Sequence, residues 1–237
     1  PLLNLNTLSP MKPRIFVLLL ATVLAVGCGA PEKPAGPHYV TTINPLRAIL
    51  AEVAGDRAEV KVLLAPGASP HTYEPRPSDA MAAESALAVF YASEDVDAWA
   101  AKLPAKERIA MFSFVQESEP AHEGEHSDHH HGHGTDNGHF WSDPTVVKSI
   151  LPDLVKRLAA LDPPGAQTYE QNAAQFAADI DKLDAEMKTA FDGKGDRPVF
   201  MFHPSWTYFM HRYNLAVAGM IEPSPGKEPT PKFIAKL

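Results

Sequence analysis

The 237-residue chain holds a single cysteine, Cys28, so it can form no internal disulfide and build no cysteine-rich zinc module. Basic runs are absent and the formal net charge is −8, which argues against nucleic acid as a partner. No Gly-x-Ser-x-Gly nucleophile elbow occurs. The main apolar run, Ile15 to Val26, is too short for a comfortable membrane span. With thiolates excluded, imidazole and carboxylate remain as metal ligands. Histidine is plentiful: eleven, against six tyrosines.

The lone cysteine has a context. Met11-Lys12-Pro13-Arg14 is a short basic segment, the apolar run follows, and Leu24-Ala25-Val26-Gly27 places small residues before Cys28. This resembles the lipobox of bacterial lipoproteins, in which the signal is cut before the cysteine and the thiol is lipidated. Residues 11–27 are therefore expected to be a signal peptide and Cys28 the lipidation site. Residues 28–37, rich in proline and glycine, read as a tether between membrane and domain. Residues 1–10 lie upstream of the expected start at Met11 and read as non-native.

From His38 onward, strand-like and helix-like stretches alternate. His38 to Ile43 reads as a strand, and Leu46, Ile49, Leu50 and Val53 mark one face of a helix ending near Gly55. Val60 to Leu64 reads as a buried strand, 79–86 as a helix capped by Ser78 or Asp79, Leu87 to Tyr91 and Arg108 to Phe112 as strands. Alternation of this kind predicts an α/β fold with a mostly parallel sheet. A helix is expected from Asp143-Pro144 to about Leu161, and one long helix over Gln167 to Phe191, with Tyr169, Ala173, Phe176, Ile180, Leu183, Met187 and Phe191 on one stripe. Strands at 197–202 and 215–221 follow, and Thr230 opens a last helix.

Three histidines share one setting. His71 stands in Pro66-Gly67-Ala68-Ser69-Pro70-His71-Thr72-Tyr73-Glu74-Pro75, His139 in Gly138-His139-Phe140-Trp141-Ser142-Asp143-Pro144, and His203 in Phe202-His203-Pro204-Ser205-Trp206. Each occupies a proline-flanked turn, and parallel strands would gather such turns on one side. Three imidazoles suit Zn²⁺, which imposes no geometry of its own; the alternative is three unrelated surface or core histidines. His122, His126, His129, His130, His131 and His133 lie in the acidic, apolar-poor segment 117–137, which cannot bury a core and is expected to be a disordered loop. His211 reads as a surface residue.

Those three histidine blocks, with Thr41-Thr42-Ile43-Asn44-Pro45-Leu46 before them, resemble successive blocks of the zinc/manganese solute-binding proteins of ABC importers. The match runs in order from about Tyr39 to the end. It implies two α/β lobes joined by one long rigid helix, with metal bound in the cleft between them. The division implied is an N-terminal lobe at 38–165, a linker helix at 166–192 and a C-terminal lobe at 193–237 that is incomplete, as in a truncated chain. By the same resemblance His71 and His139 are first-lobe ligands and His203 the second-lobe ligand, and histidine rather than glutamate at this third position goes with zinc rather than manganese. The family's fourth ligand, a carboxylate or water, finds no counterpart. Ser93-Glu94-Asp95-Val96-Asp97 replaces a glycine-rich turn, a departure expected to alter local loop detail and not the site.

The function implied is capture of Zn²⁺ outside the cytoplasm and delivery to the permease of an ABC importer, by a monomer anchored to the membrane through Cys28. The six loop histidines would be accessory metal ligands. The protein is not expected to be an enzyme. Alternatives are a manganese-binding, storage or adhesin-type metal lipoprotein, and a zinc hydrolase using a three-histidine site with an open position.

Overall fold

The computed structural model describes residues 36–118, 137–222 and 228–235. The expected signal peptide, Cys28, most of the tether, and His122, His126, His129, His130, His131 and His133 lie outside the described residues.

The first lobe is a four-stranded sheet in the order β2-β1-β3-β4, parallel throughout. Its strands are β1 (His38–Thr41), β2 (Glu59–Val62), β3 (Ala88–Tyr91) and β4 (Arg108–Ala110). Side chains alternate across it with the period of two that a pleated strand imposes. Tyr39, Ala88, Phe90 and Ile109 face one core layer, whereas Val40, Val89 and Tyr91 face the other. The first layer is closed by α1 (Asn44–Ala54), whose Leu46, Ile49, Leu50 and Val53 are all buried. The second is closed by α2 (Pro77–Ser85) through Ala82 and Ala83. Gly55 ends α1 at a φ of 53°, a left-handed conformation that a side chain disfavours.

Several boundaries differ from expectation for local reasons. The strand expected to be buried at 60–64 is β2, an edge strand whose residues are alternately exposed and half-buried; Leu63 and Leu64, just beyond it, carry the burial. The strand expected at 108–112 stops at Ala110 and gives way to α4 (Phe112–Ser118), which follows the helical turn α3 (Glu94–Asp97) in chain order. The single helix expected from Pro144 to Leu161 is two, α5 (Pro144–Ser149) and α6 (Leu151–Leu161). Pro152 has no N–H for the carbonyl of Lys148, so the ladder breaks there.

The linker helix α7 (Ala166–Phe191) runs 26 residues, about 39 Å at roughly 1.5 Å per residue. Its N-terminal half is pinned to the first lobe. Tyr169 and Ala173 enter the core, and the Tyr169 hydroxyl donates to Asp162 at 2.6 Å. The Asp162 carboxylate also accepts both Nε and Nη2 of Arg57, at 2.7 and 2.6 Å.

The C-terminal half of α7 carries the second lobe. That lobe pairs β5 (Val199–Met201) with β6 (Val217–Met220) in parallel, with α8 (Thr207–Arg212) between them and α9 (Pro231–Ile234) beyond. Of its described hydrophobic residues only Met201 and Tyr213 are fully buried, while Phe200, Phe202 and Trp206 are more than half exposed. The lobe is held instead by a polar hub. Asp184, buried on α7, accepts Nε and Nη2 of Arg212 at 2.9 and 2.6 Å, the Tyr213 hydroxyl at 3.2 Å and the Lys188 ammonium at 2.9 Å. Phe191 packs against Phe209 and Tyr213 beside it, at 5.3 and 5.7 Å between ring centres.

The Arg212 guanidinium, with help from Lys188, holds the Asp184 carboxyl at about 2, below the ordinary 3.8. A depressed carboxyl stabilises the fold above its unfolded value and loses that contribution as pH falls through its folded one. Replacing Asp184 by Asn should therefore cost on the order of 2 kcal/mol at neutral pH and nothing near pH 2. Hydrogen exchange at pH 7 should show the amides of 199–220 opening faster in Asp184→Asn, with those of β1 and β3 unchanged. Equal protection in the two proteins would remove the hub from the account.

A candidate metal centre between the lobes

The loop after β2 is fixed at several points. Gly67 turns it at a φ of 84°, and Pro70–Thr72 form a tight helical turn. The Trp99 indole N–H donates to the Pro70 carbonyl at 2.8 Å, and the Tyr73 ring packs on Trp99 at 4.9 Å. Helix α2 starts at Pro77, one residue before the expected cap, because a proline suits a first turn whose N–H is unused anyway. Asp79, expected as a cap, works from inside that turn. Its carboxylate accepts the Arg76 N–H at 2.8 Å and the Tyr73 hydroxyl at 2.6 Å.

Two histidines hang on the turn from Ser93 to Asp97. Asp97 is fully buried and accepts the N–H groups of Ala92 and Ser93 at 2.9–3.0 Å and the Thr42 hydroxyl at 2.5 Å. Burial still raises its pKa, because three partners only partly replace lost water. On this frame the Asp95 carbonyl receives Nδ1–H of His71 at 3.1 Å, and the Asp95 carboxylate receives the Gly138 N–H at 3.0 Å. A Cβ on Gly138 would lie 1.9 Å from Ser93 Oγ, so only glycine lets the chain pass this close. The segment expected to affect loop detail alone thus positions both first-lobe histidines.

His139 follows Gly138 and is buried, 4% exposed. Its Nδ1 lies 2.7 Å from Asn137 Oδ1, which also accepts the His139 backbone N–H at 3.1 Å. An amide oxygen only accepts, so Nδ1 carries the proton and the Nε2 lone pair faces the cleft. The bond to the Asp95 carbonyl fixes His71 in the same way. His203 lies two residues past β5, just ahead of the Pro204–Trp206 turn, and enters the cleft from the second lobe. The Ser205 N–H donates to its Nδ1 at 3.1 Å, while its Nε2 is buried without a partner among the described residues.

The three rings converge. One nitrogen from each of His71, His139 and His203 lies within 4.8 Å of the others, and ring centres are 4.8 to 5.2 Å apart. The Nε2 atoms of His71 and His139 are 3.3 Å apart. Both carry lone pairs, so the contact is repulsive unless a proton or cation sits between them. Tetrahedral zinc with nitrogens at 2.0–2.1 Å separates its ligand atoms by about 3.3 Å. The three-imidazole donor set and the His71–His139 spacing fit that ion; His203, whose Nδ1 accepts the Ser205 N–H, keeps its proton on Nε2 as placed and must give it up to join them through that atom. The rings line a cleft of about 460 Å³ with Trp141, Phe202 and Glu222 around them. His211 is exposed on α8 and does not join the cluster.

Burial lowers the His139 pKa to about 4, reinforced by the neighbouring His203 and His71. Burial lowers His203 as well, with His71 adding to the shift and the Glu222 carboxylate opposing it.

Asn137, Asp95 and Trp99 escaped the sequence reading. Asn137 was counted as the last residue of the histidine-rich loop, yet it belongs to the centre. Its signal is an amide two residues ahead of a histidine in a glycine turn, a spacing at which such side chains bond local backbone.

Two parallel α/β lobes bridged by one helix, with imidazoles from both lobes meeting in the cleft, define a solute-binding protein for a metal ion. The chain belongs to the zinc-uptake complex component A (ZnuA) family, described as periplasmic, whose model matches residues 40–237. It is 28% identical to the high-affinity zinc uptake system protein ZnuA of Yersinia pestis over 84% of this chain and 70% of that protein. It is 27% identical to the zinc-binding lipoprotein AdcA of Streptococcus pneumoniae over 93% of this chain and 46% of that one. A ZnuA crystal structure superposes with a TM-score of 0.68 at 28% identity, over 85% of this chain and 76% of the other.

A histidine held below its ordinary value destabilises the fold wherever the unfolded chain takes up a proton and the folded one does not. For His139 that window runs from about 6.5 down to about 4. The metal-free protein should lose stability on the order of 2 kcal/mol across it. His139→Gln should flatten that slope in urea titrations at pH 7 and pH 4.5. An unchanged slope would show that His139 is not the group responsible.

Proposed function

We propose that this protein captures Zn²⁺ outside the cytoplasm through His71, His139 and His203 and delivers it to the permease of an ABC zinc importer. The observation that carries the reading is the meeting of three imidazole nitrogens, two from one lobe and one from the other, within 4.8 Å of one another, with the first-lobe pair 3.3 Å apart. Family membership supports import as the purpose of that capture. An all-imidazole set favours zinc over manganese, which prefers carboxylate and water. A site divided between lobes suits cargo, since parting the lobes takes one ligand away and weakens the rest.

The family is one of solute-binding proteins, not enzymes. The pentapeptide His122-Glu123-Gly124-Glu125-His126 has the His-Glu-x-x-His spacing of metalloproteases. That motif works on a helix whose other face packs into a core, and residues 117–137 supply almost no large apolar side chain for such a face. The loop histidines are better read as weak, multiple collecting sites, since each binding event there must order chain. Cys28 is read as the lipid anchor that keeps a monomer at the membrane surface, supported by the small residues before it.

The test is competitive zinc titration of the mature protein. One tight site is expected, lost or weakened at least 100-fold in each of His71→Ala, His139→Ala and His203→Ala. A variant that keeps the tight site removes its residue from the ligand set. Deleting 119–136 should abolish extra weak sites and leave the tight one. Cys28→Ser should move the protein from the membrane to the soluble fraction; continued membrane association would refute the anchor.

A further inference from the structure

One side chain joins the turn that carries His139 to the turn that carries His203. Asn137 Oδ1 accepts both the backbone N–H and Nδ1–H of His139, and its Nδ2 donates to the Pro204 carbonyl at 3.2 Å. The orientation of the amide follows from its partners. Two donors face one end and a carbonyl faces the other, so a flipped amide would lose all three bonds. Pro204 is the residue after His203, so the bond crosses the cleft beside the cluster.

We propose that Asn137 is a positioning residue with two separable roles: it holds His139 with its Nε2 lone pair in the cleft, and it latches the second-lobe turn over the loaded site, so that it sets the rate of metal release. The proposal rests on the three-histidine reading. The chemistry of the side chain fits both roles. An acceptor-only oxygen dictates the tautomer. A neutral amide does so without the negative charge of a carboxylate, which would favour the protonated, metal-repelling ring. The amide nitrogen supplies the donor that the Pro204 carbonyl needs, which no carboxylate can. Arg212 on α8 holds the second lobe to α7 through Asp184, and it reaches the end of the His139 turn only through a long ion pair to Asp143 at 4.0 Å, making no bond to the His203 turn that Asn137 ties. Opening the cleft must therefore break the Asn137–Pro204 bond, while the helical hinge can stay whole. A single neutral hydrogen bond shifts an opening equilibrium by roughly 2- to 10-fold.

The experiment compares Asn137→Asp and Asn137→Leu with the unaltered full chain at pH 8. Zinc release to excess chelator is followed by stopped flow, affinity by competition, and the His139 tautomer by imidazole ¹⁵N chemical shifts. Asn137→Asp keeps the acceptor for His139 and loses the donor to Pro204. It should keep the Nδ1–H tautomer and release zinc about 3- to 10-fold faster. Asn137→Leu loses both roles. It should mix the tautomers and weaken affinity by more than 10-fold beyond the Asp variant. Release from Asn137→Asp at the unaltered rate overturns the latch, and a pure Nδ1–H tautomer in Asn137→Leu overturns the positioning role. A merely structural asparagine would lower melting temperature in both variants without separating rate from tautomer. His139→Ala and His203→Ala run alongside. If either keeps the tight site, the ligand assignment itself fails; if both lose it while the Asn137 variants behave as the unaltered chain, only the present proposal fails.

Discussion

The structure turns on an unfavourable contact. Two imidazole nitrogens, each with its proton committed to the far side of the ring, present lone pairs to one another at 3.3 Å. A third, half-buried imidazole beside them has a buried Nε2 with no partner among the described residues. The turns bearing this cluster are held by bonds made elsewhere. Binding a cation relieves the repulsion at once, so much of the cost of assembling the site is met during folding. That is pre-organisation for a small, hard-to-grip ligand.

What holds the turns is distributed with a clear asymmetry. The first-lobe ligands rest on a buried scaffold: Trp99 on the Pro70 carbonyl, the Asp97 carboxylate at the base of the 93–97 turn, and Gly138 pressed against Ser93. The second-lobe ligand rests on a two-stranded sheet with little buried apolar surface, tethered to α7 through Asp184. One half of the site rests on a buried core and the other on a lobe with little buried apolar surface. A helix anchored in the first core at Tyr169 and bearing the Asp184 hub about four turns later is a natural lever between them.

Much of this was legible in the sequence, and what was not has a pattern. The alternation of β-branched runs with amphipathic stretches gave the parallel sheet, and the stripe from Tyr169 to Phe191 gave the linker helix to within a residue. His71, His139 and His203 stood out because each sits in a proline-flanked turn. The failures are of two kinds, a local helix breaker outweighed by the apolar pattern around it and long-range contacts that residue types do not encode. Pro152 divided a helix whose apolar pattern continued across it. The edge position of β2 depends on strand order, which residue types do not encode. Asp95 and Asn137 act through a backbone carbonyl and a cross-cleft bond, so their importance is invisible until residues 24 apart and 67 apart are brought together.

Selectivity and release draw on the same features from opposite directions. Three nitrogen donors and no carboxylate in the cluster discriminate against magnesium, calcium and manganese, which prefer oxygen. The burial that lowers His139 to about 4 keeps protons from competing for that one imidazole across the mildly acidic range. Under the proposed assignment His203, on the less buried lobe with its neighbour Pro204 held by one side-chain amide, is the ligand whose departure would leave the first-lobe turns intact. Two imidazoles on a buried base and a third on a lobe with little buried surface would reconcile strong capture with discharge.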